Sequence, residues 1–340
     1  MKRVFCVLLV CILLCGCTVP AAQKNPQIFE ATFLTLFDTV TVIKGSAESE
    51  EAFSEVAYAI HDALQEYHQL FDIYHDYDGI NNLKTVNDRA GQEPVAVDRR
   101  IIDLLLACKR DYELTGGKVN VAMGSVLRLW HEARSNGIHD PVNAALPDAS
   151  ALQEASAHTD LNAVIIDEQA GTVYIADPLV RLDVGAVAKG WSAQRVAETA
   201  PAGLLLSVGG NVCATGPKDS SGTPWVVGVQ NPDGGNYLHT IYVSDGCVVT
   251  SGDYQRSYTV DGKRYHHIID PETLYPATIW RSVTIVCHDS GLADALSTAL
   301  FLLSQEDGQL LLDQCDAEAM WVDADGNQYY SPGFEALIRT

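Results

Sequence analysis

Residues 249–294 constrain the fold of this chain more than any other stretch. They contain Asp261-Gly262, a dipeptide that tolerates the positive φ angles of a two-residue hairpin turn, between two runs of β-forming residues. Pro271 closes the second run, because proline has no amide hydrogen to donate to a strand ladder. His267 is therefore expected near the end of a strand, where ligand-binding loops gather.

Strands and helices are interspersed along the whole chain. Apolar alternation and short apolar runs predict strands at 27–43, 163–167, 172–176, 204–208, 225–230, 237–243, 255–260, 263–269, 282–287, 320–323 and 327–330. Helical spacing predicts helices at 49–71, 98–115, 125–131, 152–158 and 291–303, and another that follows a strand-to-helix joint at 181–190 and ends at 200. Because strands joined by hairpins are interrupted by helices, we expect an α+β fold, a single domain with mostly antiparallel sheets and flanking helices.

The first residues form a targeting signal. Lys2 and Arg3 precede the apolar run 4–14, which is shorter than the roughly 20 residues that a membrane-spanning helix needs. Leu14 to Cys17 then has the Leu-x-Gly-Cys form of a lipoprotein cleavage site. We therefore expect removal of residues 1–16 as a signal peptide.

Cys17 would become the lipid-bearing first residue of the mature chain. Residues 17–27 would then be a tether, and residues 28–340 a domain anchored at the extracytoplasmic face of the cell membrane. The alternative is an ordinary secretory signal that happens to contain cysteines.

The charge of the chain limits its partners. The sequence has 44 acidic residues against 22 Lys and Arg, and loss of residues 1–16 removes two of the positive charges. Such a balance argues against nucleic acid and against electrostatic docking on anionic lipid. An anionic ligand would need a metal ion or a local exception. The five later cysteines are expected to be small buried hydrophobic residues, and not a disulfide framework or a metal site: Cys108, Cys213, Cys247, Cys287 and Cys315.

Asp294 and Thr298 are four residues apart, so both side chains project from one face of the predicted helix at 291–303. A carboxylate among Ala and Leu neighbours needs a partner, and Asp and Thr oxygens with backbone carbonyls and water suit magnesium or calcium. The alternative is that Asp294 faces solvent in the first turn, where acids favour the helix dipole.

Three further residue groups could contact a ligand. Asp183 and Lys189 lie on the strand-to-helix joint, where they could surround a ligand or form a structural ion pair. The Gly-Gly-Asn sequence at 209–211 could present amides to a phosphate, or simply form a turn. His267 has the ordinary pKa of a general base, with a structural histidine as the alternative, and His266 should point to the other side of the strand.

Five segments, taken in order, carry a family resemblance: RLDVGAVAKGW, SVGGN, VVTSGDYQRSY, DGKRYHHIIDPET and ADALSTALFLL. Together they resemble the signature blocks of the ApbE family, the FAD:protein FMN transferases. The resemblance implies a flavin-binding α+β domain that takes FAD as substrate, cleaves its pyrophosphate with a divalent cation and transfers FMN to a Thr or Ser hydroxyl, releasing AMP. It also implies acceptors that are flavin-domain proteins of membrane redox complexes.

The resemblance also implies site residues. By position, Mg²⁺ would be held by the backbone carbonyl of Ala186 and by Asp294 and Thr298, and the catalytic histidine would be His267. The positions implied for flavin nucleotide contacts are Phe37, Tyr74, Lys118, Val119, Asn120, Asp183, Lys189 and Ile268. The chain departs from the family pattern at 37–39, where many members have Met-Gly-Thr, and at 119–122, where many have Phe-Asp-x-Thr.

Two other functions are compatible with the same residues. FAD hydrolysis to FMN and AMP would use the same cation site with water as acceptor. A non-enzymatic flavin-binding or solute-binding lipoprotein would bind its ligand without releasing AMP.

Overall fold

The structure is a computed structural model that describes residues 27–339. Fifteen strands occur in these residues, in the order β1 (Gln27–Leu36), β2 (Thr39–Ala47), β3 (Val95–Ala96), β4 (Val164–Asp167), β5 (Thr172–Ile175), β6 (Leu204–Val208), β7 (Asn211–Thr215), β8 (Trp225–Val229), β9 (His239–Val243), β10 (Asp245–Gly252), β11 (Tyr258–Val260), β12 (Lys263–Tyr265), β13 (Trp280–Cys287), β14 (Ala317–Asp323) and β15 (Gln328–Tyr330). Eight of them form one sheet, in the order β1-β2-β6-β7-β10-β13-β14-β15, and each neighbouring pair is antiparallel.

The same residues contain eight α-helices: α1 (Glu50–Phe71), α2 (Leu83–Asp88), α3 (Arg99–Leu114), α4 (Gly124–His139), α5 (Ala149–Ser156), α6 (Ala188–Ala197), α7 (Ser290–Phe301) and α8 (Gln305–Leu312). Side chains cap the starts of several of these helices. Ser49 accepts a hydrogen bond from the amide of Ala52 at the start of α1, and Asp289 accepts one from Leu292 at the start of α7. No helix within residues 27–339 has both the length and the apolar character needed to cross a membrane.

The large sheet is covered on both faces. Helices α1, α6 and α7 pack on one face, and the β8–β9 hairpin packs on the other. Strand β10 shows the alternation: Cys247 and Val249 belong to the helix side, whereas Val248 belongs to the hairpin side. The β11–β12 hairpin joins α4 and α5 in a smaller core around Trp130 and Tyr258. A mixed α+β fold with mostly antiparallel sheets is therefore confirmed.

Several predicted boundaries are wrong. Strand β12 ends at Tyr265 and not at 269, because the imidazole of His266 accepts a hydrogen bond from the amide of Ile268 and turns the chain. Helix α6 ends at Ala197, three residues before the predicted end, and helix α7 runs from 290 to 301 and not from 291 to 303. The short elements α2, β3 and α8 have no counterpart in the sequence prediction.

The predicted signal peptide, Cys17 and residues 17–26 of the tether lie outside the described residues. They remain predictions.

Candidate functional site

One cavity of about 1030 Å³ collects all the site residues predicted between 27 and 339. Its walls come from the β1–β2 turn, the segment after α1, helix α4, the α6–α7 junction and the loop after β12. The predicted residues that line it are Phe37, Tyr74, Lys118, Val119, Asn120, Asp183, Ala186, Lys189, His267, Ile268, Asp294 and Thr298. Ligand pockets usually measure about 300–1,000 Å³, so this cavity has room for a large ligand.

Helices α6 and α7 meet at Gly190 more closely than any side chain would allow. A Cβ atom at this position would collide with the carbonyl oxygen of Ser290 and lie 2.5 Å from the Cβ of Asp294. The bare backbone amide of Gly190 instead donates a hydrogen bond to Oδ2 of Asp294 over 2.9 Å. Glycine at 190 therefore brings the carboxylate of α7 against the first turn of α6.

Asp294 is buried, with an exposed fraction of 4%, which excludes the solvent-facing alternative. Its Oδ2 atom also lies 3.5 Å from Nζ of Lys189. Its Oδ1 atom accepts no hydrogen bond from the described residues. A buried carboxylate with one unused oxygen that lines a cavity can bind a cation there.

The carbonyl of Ala186 is also free for a ligand. Ala186 lies just before the N-cap of α6, Val187, so its carbonyl is not an acceptor of that helix. The first-turn amide of Gly190 likewise has no helical acceptor and bonds to Asp294. Within residues 27–339 the Ala186 oxygen accepts no backbone hydrogen bond. Thr298 is half-buried, lines the same cavity and has a hydroxyl without a hydrogen bond to the described residues.

These three oxygens, from a carboxylate, a carbonyl and a hydroxyl, fit a hard cation such as Mg²⁺, which usually keeps several water ligands. Among the described residues, no group of three or more His, Cys, Asp or Glu is placed to hold a metal ion. A thiolate- or imidazole-rich centre is therefore not formed by residues 27–339.

Lys189 and Asp183 do not form the ion pair with each other that the sequence left open. Nζ of Lys189 is near Asp294 and also donates to the carbonyl of Gly185, over 3.3 Å. Oδ1 of Asp183 accepts from the amide of Gly185, and burial raises the pKa of this carboxyl. Both side chains line the cavity and remain available to a ligand.

The two adjacent histidines have different environments. His266 has a bond at each ring nitrogen: Nε2 is 2.7 Å from the carbonyl of Ala277, and Nδ1 accepts from Ile268. Nδ1 of His267 is buried and has no partner among the described residues. Burial lowers the pKa of His267 to about 3, so its imidazole is neutral near pH 7. The prediction that they face opposite sides of a strand is wrong, since both line the cavity beyond the end of β12.

The cavity wall at 118–122 has its polar groups bonded within the protein. Nζ of Lys118 lies 2.7 Å from Oε1 of Glu272 and 3.4 Å from Oδ1 of Asp270. In the side chain of Asn120, Nδ2 donates to the carbonyl of Thr159 and Oδ1 accepts from the backbone amide of Ala122. This asparagine, where many family members carry an acid, therefore holds the loop in place.

Aromatic residues form the cavity wall near the β1–β2 turn. Tyr74 is half exposed, and its ring lies 5.4 Å from that of His131. Phe37 has a positive φ angle of 52°, and its ring lies 5.4 Å from that of His68. Such rings can stack on a planar ligand.

The sequence analysis missed two arginines that line the cavity, Arg134 and Arg256, and the histidine beside the first of them, His131. His131 and Arg134 are three residues apart on α4, and their side chains are 3.0 Å apart. Neither arginine forms an ion pair with residues 27–339. The i, i+3 spacing was visible in the sequence, but the direction of that helix face was not. The two arginines and Lys189 supply the local positive charge that an anionic ligand requires in this acidic protein.

The fold and the cavity together define an α+β protein with a large site for an anionic, partly aromatic ligand beside a hard-cation position. Comparison with known families agrees with this class. The ApbE family model matches residues 37–321, and the chain belongs to the ApbE family.

Individual relatives support the assignment. The chain is 36% identical over 279 residues to the FAD:protein FMN transferase of Treponema pallidum (strain Nichols), which covers 76% of this chain and 75% of that protein. It is 33% identical over 266 residues to an FAD:protein FMN transferase of Klebsiella pneumoniae (strain 342), covering 75% and 80%. The crystal structure of the ApbE protein of Thermotoga maritima has a TM-score of 0.81 at 31% identity and covers 92% of this chain and 100% of that one. The flavin transferase ApbE of Vibrio cholerae, at 23% identity and a TM-score of 0.76, shares the fold.

Proposed function

We propose that this protein is an FAD:protein FMN transferase. It transfers FMN from FAD to a Thr or Ser hydroxyl of a flavoprotein and releases AMP. The observation that carries the proposal is the α6–α7 junction of an ApbE family member, where three oxygens that fit a cation lie in one cavity with Lys189 and His267. The cavity volume of about 1030 Å³ is sufficient for a dinucleotide.

The phosphate end of the site is electrostatic. Ala186, Asp294 and Thr298 would hold Mg²⁺, which when bound supplies Lewis-acid stabilisation of charge on phosphoryl oxygens. Lys189, and the guanidinium groups of Arg134 and Arg256, add positive charge in the same cavity. Such fixed charges stabilise developing negative charge most strongly where water is excluded.

His267 would be the general base of the transfer. The acceptor oxygen attacks the FMN phosphorus, a new P–O bond forms, the anhydride P–O bond to AMP breaks, and the hydroxyl proton moves to the imidazole. A neutral imidazole has one ring nitrogen without a proton, and this nitrogen can accept the proton of the hydroxyl. General-base catalysis contributes about 10²–10⁴-fold.

The location and partners follow from the same proposal. The predicted lipoprotein signal would place the domain 28–340 on the outer face of the cell membrane. Its acceptors would be flavin-domain subunits of membrane redox complexes that expose a Thr or Ser there. The acidic composition of the chain argues against nucleic acid as a partner.

The first test uses purified protein, FAD, Mg²⁺ and a flavin-domain acceptor. Mass spectrometry of the acceptor should show added FMN, with AMP released in equal amount, and chelation of the cation should stop both. AMP released at the same rate without acceptor would instead identify an FAD pyrophosphatase. FAD binding without AMP, unchanged in Asp294→Ala, would identify a flavin-binding lipoprotein.

A further inference from the structure

Cys213 and Cys247 lie directly opposite each other on the antiparallel strands β7 and β10. Their sulfur atoms are 3.0 Å apart. Opposite residues in an antiparallel pair have Cα atoms about 4.5–5.5 Å apart, and disulfides span Cα separations of about 4.4–6.8 Å. The two backbones therefore already have the separation that a covalent bond between these sulfurs requires.

A third cysteine lies in the same row across the sheet, so the pairing of Cys247 with Cys213 can be compared with an alternative pairing. Cys287 on β13 is directly opposite Cys247 on its other side. The sulfur contact of Cys247 is nevertheless with Cys213. Register alone thus allows two pairings, and the side-chain geometry selects one of them.

The pair is sealed inside the fold. Cys213 has an exposed fraction of 0% and Cys247 of 2%. The adjacent sulfur of Cys213 and burial raise the pKa of the Cys247 thiol, which disfavours the thiolate needed for exchange. A bond between them would therefore form while the strands are coming together, and would then be protected from small reductants.

We propose that Cys213 and Cys247 become a disulfide when the chain folds outside the cytoplasm, an inference that rests on the proposed export. The two thiols lose two electrons and two protons, and one Sγ–Sγ bond forms. The oxidant is an exchangeable disulfide, of a protein or a small molecule, which is reduced to two thiols. Exported proteins meet such oxidants, whereas cytoplasmic proteins are kept reduced.

The bond would stiffen the sheet beneath the proposed cation position. It closes the segment 213–247, which includes the β8–β9 hairpin. The sulfur of Cys247 also lies 3.7 Å from Oε1 of Gln194, and the same oxygen accepts from the amide of Ser290 at the start of α7. The disulfide would therefore lie under the contact between α6 and α7 that places Asp294.

Peptide mapping of the exported full-length protein tests the proposal. Free thiols are blocked with an alkylating agent during lysis, and the unreduced protein is digested with trypsin. Cleavage at Lys218 separates Cys213, in peptide 196–218, from Cys247, in peptide 219–256, while Cys287 falls in peptide 282–339. We expect the first two peptides to be joined. Recovery of both with alkylated cysteines, or a link from 219–256 to 282–339, would overturn the proposal.

Thermal unfolding with and without a reductant provides the second measurement. Wild type that has been reduced in denaturant and refolded with the reductant present should have an unfolding midpoint lower by on the order of 5 °C than the oxidised protein. Cys213→Ala should lose this response and Cys287→Ala should keep it, since only the first removes a member of the pair. Equal responses in the two variants would contradict the assignment. FMN transfer is assayed in parallel, so that an enzyme active with free thiols separates failure of this inference from failure of the proposed function.

Discussion

The α6–α7 junction and the wall at 118–122 both present polar residues to the cavity, but they differ in what those residues bond to. On the first, Asp294 keeps an unused carboxylate oxygen and Ala186 an unused carbonyl. On the second, Lys118 is paired with two acids and the side chain of Asn120 bonds to the backbone of Ala122 and Thr159. Buried polar atoms are normally satisfied within the protein, so the unsatisfied wall is the one arranged for a ligand.

The largest difference between the walls should appear when a carboxylate is removed from each. Asp294→Asn keeps the side-chain volume but removes the charge at the proposed cation position, and we expect FMN transfer to fall by on the order of 10³-fold. Asp270→Asn is the matched control, because it removes a carboxylate that is already bonded to Lys118 and to the amide of Glu272. Rates measured at saturating FAD and Mg²⁺ give the comparison. Similar losses in both variants would remove the distinction between the walls.

The adjacent histidines give the next contrast. His267→Ala should lower the transfer rate by about 10²–10⁴-fold, because it removes the proposed base, while FAD affinity stays within a few-fold. His266→Ala breaks two internal hydrogen bonds and should act mainly on stability, at about 1–3 kcal/mol. Single-turnover rates and denaturant unfolding of both variants test this assignment. A fully active His267→Ala would exclude a role for that imidazole in proton transfer.

The effects on transfer of replacing Lys189 and Lys118 should differ less. Lys189→Ala removes a charge beside Asp294 and should weaken transfer by about 10²-fold, whereas Lys118→Ala should cost less than about tenfold, because acids already neutralise that ammonium. Steady-state kcat/KM for FAD in each variant measures the difference. A greater loss in Lys118→Ala would mean that the 118–122 wall binds the nucleotide directly.

The last prediction concerns the pH dependence of stability. The pKa of His267 is about 3 in the folded chain against an ordinary 6.5, since burial disfavours its charged form. Below about pH 6.5 the unfolded chain binds this proton and the folded chain does not, so the stabilising contribution falls as pH drops from about 6.5 toward 3. His267→Gln should flatten the dependence of the unfolding free energy over this range. An unchanged slope would contradict the shifted pKa.

Much of this site could be predicted from spacing, and some of it could not. The i, i+4 relation of Asp294 and Thr298 follows from helix periodicity, and the hairpin at Asp261-Gly262 follows from turn chemistry. The family resemblance supplied Ala186, but the contact that brings Asp294 against the start of α6 joins residues 104 positions apart. Local patterns carry no information about such a contact, nor about whether Arg134 or Arg256 faces the cavity.

The predicted separation of His266 from His267 shows the other limit. It assumed that strand alternation continues to 269, but the chain leaves the strand at Tyr265, where a side-chain to backbone bond competes with the ladder.

The cysteines show a similar limit. Four of the five are buried as predicted, but the proximity of Cys213 and Cys247 depends on the register of two strands.

A substitution at Gly190 would disrupt the α6–α7 contact without removing any of the groups that form the site. A methyl group there would leave the carboxylate, the carbonyl, the hydroxyl and the imidazole all encoded, yet it would push the two helices apart and separate the amide of residue 190 from Asp294. Such a substitution would inactivate the protein because it displaces the functional groups, although all of them would still be present. A survey of tolerated variants that scored only side-chain chemistry would overlook the residue on which the arrangement most depends.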